Sequence, residues 1–378
     1  MNLKILYVAT LSNTINAFLI PHIKMLVDEG HEVDIACNID QKIDTKLKSI
    51  VGNIFKVNFN RSPFKLDNIK AYKEIIEIIN QEKYEIIHTH TPTASAIVRL
   101  ACRNLSNTKV IYTAHGFHFY KGAPLKNWII YYPIEKWLSK YTDCLLTINN
   151  EDYNIAIEKK FKAKSIEKIN GVGVDLSKFY PVSENEKFQL RKKHNFNEND
   201  FILIYPAELN KNKNQLLLIE VIDIIKDKIP NIKLILAGTG ELFNYYRKKV
   251  VKKGLEKYIV FTGYRTDIDE LIKLSDVSVA SSIREGLGKN VIEGMACGLP
   301  VVATKNRGHR ELIINGDNGF LVSLKDPVQI ADSIYKIYKD SSLRKTMSQL
   351  NLNIVKKYSI ENVTKDMELI YKNAMKTK

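Results

Sequence analysis

VSVASSIREGLGKNVIEGMACGLPVVAT (Val277–Thr304) reads as strand, loop, helix, strand. Val277–Ala280 and Pro300–Ala303 are short apolar runs of strand length, and the spacing predicts a helix from about Lys289. Strands joined through a crossover helix lie parallel, in a sheet covered on both faces. The connecting loop is rich in glycine. It also holds Glu285, and the helix holds Glu293, with seven residues between them. One reading makes the pair a helix cap and a solvated helix residue. The other makes them acceptors for hydroxyl groups, beside backbone that a ligand can approach.

The same alternation extends both ways. Before this stretch lie strand candidates Phe201–Pro206, Lys233–Ala237 and Tyr258–Phe261, with helices over Lys213–Lys226, Glu241–Lys252 and Ile268–Leu274 between them. After it come a helix over Arg310–Ile314 and a strand at Gly319–Val322. The first half repeats the pattern, with strands at Lys4–Ala9, Glu32–Ala36, Ile54–Val57, Ile86–His88, Lys109–Thr113 and Cys144–Ile148. Helices over Phe18–Glu29, Asp67–Gln81, Thr93–Asn104 and Lys126–Lys140 alternate with them. The expected fold is therefore α/β, with two doubly wound, Rossmann-like domains. The chain of 378 residues suits two domains rather than one. GVGVDLSKFYPVSENEKF marks the boundary, giving residues 1–175, 176–358 and a final helix 359–378 that returns to the first domain. Ligands of such sheets bind at the carboxyl ends of the strands, here expected in a cleft between the domains.

Bulk properties exclude several classes. Cys37, Cys102, Cys144 and Cys297 form no CxxC pair, which fits buried free thiols rather than a zinc or redox site. The opening MNLKILYVATL is a buried-strand pattern, not a signal peptide, and no apolar run spans a bilayer. A cytoplasmic location is expected. The net charge is +15, from 57 basic and 42 acidic residues. That surplus suits phosphorylated ligands or an anionic membrane, although much of it is lysine on polar helix faces. No nucleic-acid-binding signature occurs, so no nucleic acid partner is expected.

Gly238 and Gly240 follow the strand ending at Ala237 and precede a helix. They suit anion binding at a helix start, and a plain strand–helix turn equally well. GxGxxG and GxxxxGK[ST] are absent, which lowers dinucleotide enzymes and P-loop ATPases.

Several ordered pieces carry a resemblance. They are GHEVDIAC (Gly30–Cys37), YEIIHTHTP (Tyr84–Pro92), YTAHGF (Tyr112–Phe117), NGVGVD (Asn170–Asp175), LNKNKNQ (Leu209–Gln215), LILAGTGE (Leu234–Glu241) and the two-glutamate segment with CGLPVVAT. In that order the chain resembles family 4 glycosyltransferases, whose fold is GT-B, and within them the bacterial capsule and exopolysaccharide branch. The resemblance implies that Glu285 and Glu293 hold the hydroxyls of the donor sugar and the ribose diol. It implies that Gly286, Leu287, Gly288, Lys289 and Asn290 lie near sugar and diphosphate. Lys213 matches the lysine that neutralises the diphosphate, and His115 the histidine beside the donor sugar. The implied donor is a UDP-hexose or UDP-N-acetylhexosamine, and the implied acceptor a polyprenyl-diphosphate-linked sugar. A retaining reaction without a cofactor or metal follows from the same likeness, with lysine and helix amides facing the leaving diphosphate.

Two departures stand out. Glu208 occupies the place where the family often has an arginine, so Lys213 must carry more, or Lys211 or Arg284 helps. TLSNTIN replaces the usual glycine pair after the first strand. Asn13 and Thr14 there, with His118 and Lys121, are the acceptor-side candidates. The DxD of TDID (Thr266–Asp269) is expected to cap a helix rather than bind metal. His88 and His90 share a strand face, but no third metal ligand is evident. Lys121–Tyr141 mixes lysines with aromatics, which suits either a packed helix or contact with an anionic inner membrane surface. Two other functions remain open: a UDP-N-acetylglucosamine 2-epimerase, and a non-catalytic nucleotide-sugar-binding module.

Overall fold

The computed structural model describes residues 2–63 and 65–376. Its strands are β1 Lys4–Leu11, β2 Glu32–Asn38, β3 Ile54–Lys56, β4 Ile86–His90, β5 Lys109–Ala114, β6 Cys144–Thr147, β7 Ser165–Lys168, β8 Phe201–Pro206, β9 Ile232–Ala237, β10 Ile259–Gly263, β11 Val277–Ala280, β12 Val301–Thr304 and β13 Gly319–Val322. They form two sheets, in the orders β3-β2-β1-β4-β5-β6-β7 and β10-β9-β8-β11-β12-β13. Neighbouring strands pair in parallel throughout. Each order reverses direction once, between β1 and β4 and between β8 and β11. At such a switch point the helices leave to opposite faces and open a crevice beyond the strand ends.

The chain divides into two compact units. One runs from the N-terminus to Gly173 and takes back the C-terminal helix Ile360–Lys376; the other spans Val174–Ser359. In the first unit that helix is tied to the sheet by Tyr371. Its hydroxyl lies 2.7 Å from the Tyr7 hydroxyl and 2.5 Å from His88 Nδ1, and all three residues are buried. The strands of both units are mostly buried on both faces, as their near-continuous apolar runs require.

Three local readings change. The SIEK strand β7 is too short and polar to show a period. The helix expected over Arg310–Ile314 is Arg307–Leu312, because the Asn306 side chain accepts from the His309 amide and starts it earlier. The end of the boundary segment is likewise helical: Ser183 caps Glu184–Lys193 by accepting from the Glu186 amide. Helices Asn150–Glu158, Pro327–Lys339 and Ser341–Ile354 add to those expected.

The Lys121–Tyr141 stretch contributes the helix Leu125–Leu138. Trp128, Tyr131 and Tyr132 pack it against a cluster that includes Phe117, Phe119 and Phe161. Leu125, Ile129, Ile130, Ile134 and Trp137 remain exposed. One buried ion pair holds this helix to its neighbour Pro92–Ala101. Arg99 Nη2 lies 2.9 Å from Glu135 Oε2, and its guanidinium sits 4.3 Å from the centre of the Tyr112 ring. Glu135→Leu leaves Arg99 charged, buried and unpaired, and is expected to cost about 3–5 kcal/mol. Arg99→Met with Glu135→Leu should recover most of that loss. Both tryptophans of the chain, Trp128 and Trp137, lie on this helix, so fluorescence-monitored urea unfolding reads the change directly.

Candidate active site

In the second unit, the loops after β8 and β11 meet at the switch point. Hydrogen bonds stitch them together. The Ile283 amide donates to the Asn212 carbonyl at 2.8 Å, and Asn212 Nδ2 donates to the Arg284 carbonyl at 3.0 Å. The Lys213 carbonyl accepts from Ser281 Oγ at 2.8 Å and from the Tyr205 hydroxyl at 3.1 Å. Tyr205 is buried and also bonds Ser282 Oγ at 2.7 Å. The backbone of Lys213 is therefore fixed from both flanking strands.

Its side chain then reaches Glu285. Nζ lies 2.5 Å from Oε1, with the two side chains 23% and 15% exposed. Burial pushes the Glu285 carboxyl up, but Lys213, His309 and a bond from Ser282 outweigh it, so the group stays below its ordinary value. Glu285 is thus neither a helix cap nor a solvated residue. The cap of helix Lys289–Ala296 is Gly288, at φ +102°, where an L side chain is strained.

Glu293 lies on that helix, largely buried, with Lys289 Nζ 3.7 Å away. Burial holds its carboxyl above the ordinary value, only partly offset by Lys289 and Lys178. Gly286, Lys289 and Asn290 are partly exposed around these carboxylates, and Leu287 is buried. Gly238 and Gly240 have a packing reason. A Cβ on them would lie 2.1 Å from the Ala207 carbonyl oxygen and 2.4 Å from that of Leu209. Their backbone approaches the β8 loop itself. Glu208 is exposed and accepts from Asn210 Nδ2 at 3.0 Å.

A supporting layer was not singled out in the sequence. Thr304 Oγ1 and Asn306 Nδ2 both donate to the Ser282 carbonyl, at 2.7 and 3.0 Å. Arg307 Nε donates to the Glu285 carbonyl at 3.2 Å. His309, buried against Gly288, has Nδ1 2.6 Å from the Thr304 carbonyl. The small polar residues after β11 and β12 were the available signal.

The TDID stretch needs correction. Asp267 makes no side-chain capping bond to helix Ile268–Lys273, because Arg265 holds its carboxylate. With His194 and Glu270 it forms the one cluster of metal-ligand type among the described residues, and Lys193 occupies Glu270.

In the first unit, His115 Nε2 lies 3.0 Å from His90 Nδ1, and the rings stack. Burial and the nearby His22 pull the His115 pKa down to about 4, so the ring is neutral at neutral pH. His88 and His90 do share one face, with ring centres 4.2 Å apart. A cavity of about 510 Å³ opens at this sheet's switch point, lined by Thr10, Thr14, Thr91 and His118 among others. His118 stacks on Tyr131. Asn13 and Lys121 are exposed outside that lining; their amides donate to Asp40 and Glu151.

Comparison with known proteins agrees with this architecture. Residues 186–351 match the family described as "Glycosyl transferases group 1", and residues 4–149 that described as "Glycosyl transferase 4-like". EpsD of Bacillus subtilis, whose own description as a glycosyltransferase is provisional, is 45% identical over 98% of this chain and 97% of its own. The chain belongs to the group 1, GT4-like glycosyltransferases. A UDP-Gal:alpha-D-GlcNAc-diphosphoundecaprenol alpha-1,3-galactosyltransferase of Escherichia coli is 26% identical, covering 89% of this chain and 88% of its own. Anabaena HepE, solved with UDP and glucose, superposes with a TM-score of 0.82 at 20% identity, over 98% of this chain and 100% of that one. The fold is GT-B.

The raised Glu293 carboxyl has a measurable consequence. Below the ordinary carboxyl value both folded and unfolded chains are protonated there. As pH rises, the unfolded chain releases its proton first, so folding stability falls until the folded-state group has titrated. Glu293→Gln removes that loss. The ligand-free variant should melt above wild type at pH 7, and the two should converge near about pH 4. A thermal-unfolding series across this range checks it; a less stable variant at pH 7 contradicts it.

Proposed function

We propose that the protein is a retaining glycosyltransferase of capsule or exopolysaccharide synthesis. It moves a hexose or N-acetylhexosamine from a UDP-sugar to a polyprenyl-diphosphate-linked sugar. The observations that carry this reading are the Lys213–Glu285 pair, largely buried at the β8–β11 switch point, and Glu293, largely buried on the helix that follows the Glu285 loop. A nucleotide-sugar offers two diols and a diphosphate, and these residues offer two carboxylates and an ammonium. The Escherichia coli galactosyltransferase supports the choice of lipid-linked acceptor and, with HepE, the choice of UDP.

In this reading Glu293 binds the ribose diol. Glu285 accepts from donor-sugar hydroxyls once the diphosphate draws Lys213 away from it. Amides around Gly288 and at the start of helix Lys289–Ala296 face the phosphates. The acceptor hydroxyl attacks C1 on the face from which the diphosphate leaves. The C1–oxygen bond breaks, and the departing phosphate oxygen takes the hydroxyl proton. Lys213 stabilises the charge that develops there without a metal ion, a preorganised electrostatic contribution. Neutral His115 is a hydrogen-bonding group for the donor sugar, oriented by His90.

No helix among the described residues is long and apolar enough to cross a membrane. Exposed Leu125, Ile129 and Trp137, the nearby Lys121 and Lys126, and a net charge of +15 support peripheral contact with an anionic inner membrane surface.

The direct test offers purified protein a panel of UDP-sugars with a short-chain polyprenyl-diphosphate sugar and reads products by mass spectrometry. Release of an epimerised nucleotide sugar without acceptor would identify an epimerase instead. Glu293→Ala should weaken UDP binding in calorimetry. Glu285→Ala should instead lower turnover far more than UDP affinity. Lys213→Ala should cost about 1.5–3 kcal/mol in kcat/KM, the value of a hydrogen bond to a charged group. Survival of activity in Lys213→Ala, with a strict Mg²⁺ requirement, would overturn the metal-free mechanism.

A further inference from the structure

His309 is a buried titratable side chain to which the reaction above gives no task. It lies on the short helix Arg307–Leu312, which presses on the loop carrying Glu285. A Cβ on Gly308 would lie 2.8 Å from the amide nitrogen and from the carbonyl oxygen of Leu287, and 2.9 Å from the Glu285 Cβ. Arg307 Nε donates to the Glu285 carbonyl at 3.2 Å. The His309 ring is fully buried, and its Cδ2 and Nε2 lie 3.3 and 3.7 Å from where a Gly288 Cβ would stand. The ring therefore packs on the Gly288 end of the loop that joins Glu285 to helix Lys289–Ala296.

Hydrogen bonding fixes the tautomer of this ring. Nδ1 lies 2.6 Å from the Thr304 carbonyl oxygen. A carbonyl oxygen only accepts, so Nδ1 carries the proton and Nε2 holds a bare lone pair. Asn306 Nδ2, 3.0 Å from Nδ1, has its acceptor in the Ser282 carbonyl at 3.0 Å. Nε2 is buried and has no hydrogen-bond partner among the described residues. Buried polar atoms without a partner are rare in folded proteins, and each calls for a reason.

The charges around the ring supply one. Two act on it from the loops after β11 and β8. Glu285 favours the protonated form, while Lys213 disfavours it. Burial is the largest influence and holds the pKa below its ordinary value, so the ring is neutral at neutral pH. On its own helix, Arg307 turns to the Glu285 carbonyl and Arg310 is exposed. A bound diphosphate reverses this balance. It brings negative charge to the site and draws Lys213 away from Glu285. Both changes favour a proton on Nε2, and without one Glu285 would be a buried carboxylate that has lost its cation.

We propose that His309 takes up a proton on Nε2 as the donor diphosphate binds and, as an imidazolium, replaces Lys213 as the counter-charge of Glu285. It is a positioning residue, which keeps Glu285 ionised to accept sugar hydroxyls and touches no reacting atom. The proton comes from solvent, adds to the free lone pair and returns to solvent when UDP leaves. No other bond is made or broken. The inference rests on the nucleotide-sugar reading of Lys213 and Glu285, and adds a proton-linked step to donor binding.

The test titrates the full chain with UDP by calorimetry from about pH 8 to about pH 6, the range in which a histidine changes charge. Buffers of different ionisation enthalpy report the protons exchanged. His309→Asn is the comparison: its amide nitrogen stands where Nδ1 does and keeps a donor for Thr304, but the side chain does not titrate. The terminal phosphate of UDP titrates in both proteins, and the difference between them cancels it. Wild type should take up a fraction of a proton more per UDP than the variant. Its UDP affinity should gain at least about threefold more than the variant's over that range, since one proton taken up changes affinity by up to about tenfold per pH unit. Histidine ¹H–¹³C spectra of wild type give a reading that needs no variant. One of the eight rings should move to its protonated form as UDP is added. Equal proton uptake by the two proteins, or eight rings unchanged by UDP, overturns the proposal. A variant weakened equally at every pH also overturns it, because His309 is then only a structural brace. UDP binding with no such linkage leaves the nucleotide-sugar reading standing, whereas no UDP binding by wild type at any pH refutes that reading and the inference with it.

Discussion

The carbonyl oxygen of Lys213 is the point on which the second unit's site depends. It accepts from Ser281, beyond β11, and from Tyr205, in β8. Those strands are neighbours in space but far apart in the chain, and they flank the place where the sheet order reverses. Anchoring the backbone there leaves the lysine side chain to do one thing, which is to meet Glu285. The side chain still gives up rotamer freedom on pairing, but the backbone entropy of placing it is already lost in the fold. The layer of Thr304, Asn306, Arg307 and His309 does the same for the loop on which Glu285 sits.

The two carboxylates end in opposite electrostatic conditions although both are largely buried. Glu285 has an ammonium in direct contact, and its charged form is favoured. Glu293 has a more distant lysine, and burial dominates. A carboxylate that is costly to keep charged gains most when hydroxyl donors arrive, because they replace the water it has lost. The tension at Glu293 is the kind of local instability that binding sites retain.

The first unit uses its switch point differently. There the strand ends carry hydroxyls and histidines, with His90 against His115. The adjoining crevice is closed by the helix Leu125–Leu138, held through one buried ion pair. Glu135 lines that cavity with its charge neutralised by Arg99. The apolar face of that helix is consequently divided, with Trp128, Tyr131 and Tyr132 spent on the core and Ile130, Ile134 and Trp137 left outward.

The sequence by itself determined the doubly wound class and most strands, because buried parallel strands are continuous apolar runs with glycine-rich exits. β8, β11 and β13 coincide with their expected residues for that reason. It missed β7, which is short and polar, and misplaced the start of helix Arg307–Leu312, which a cap from Asn306 sets. The ordered set of motifs singled out Glu285, Glu293 and Lys213 as candidates, and of these Lys213 and Glu285 are in contact. What only tertiary structure decided is which groups touch. Lys213 and Glu285 are 72 positions apart, and their pairing follows from sheet order, which no local pattern encodes. The same holds for the glycines of GTG, whose close approach is to the β8 loop. It holds too for Arg99 and Glu135, which ordinary periodicity would assign to solvent, and which folding buries because each neutralises the other.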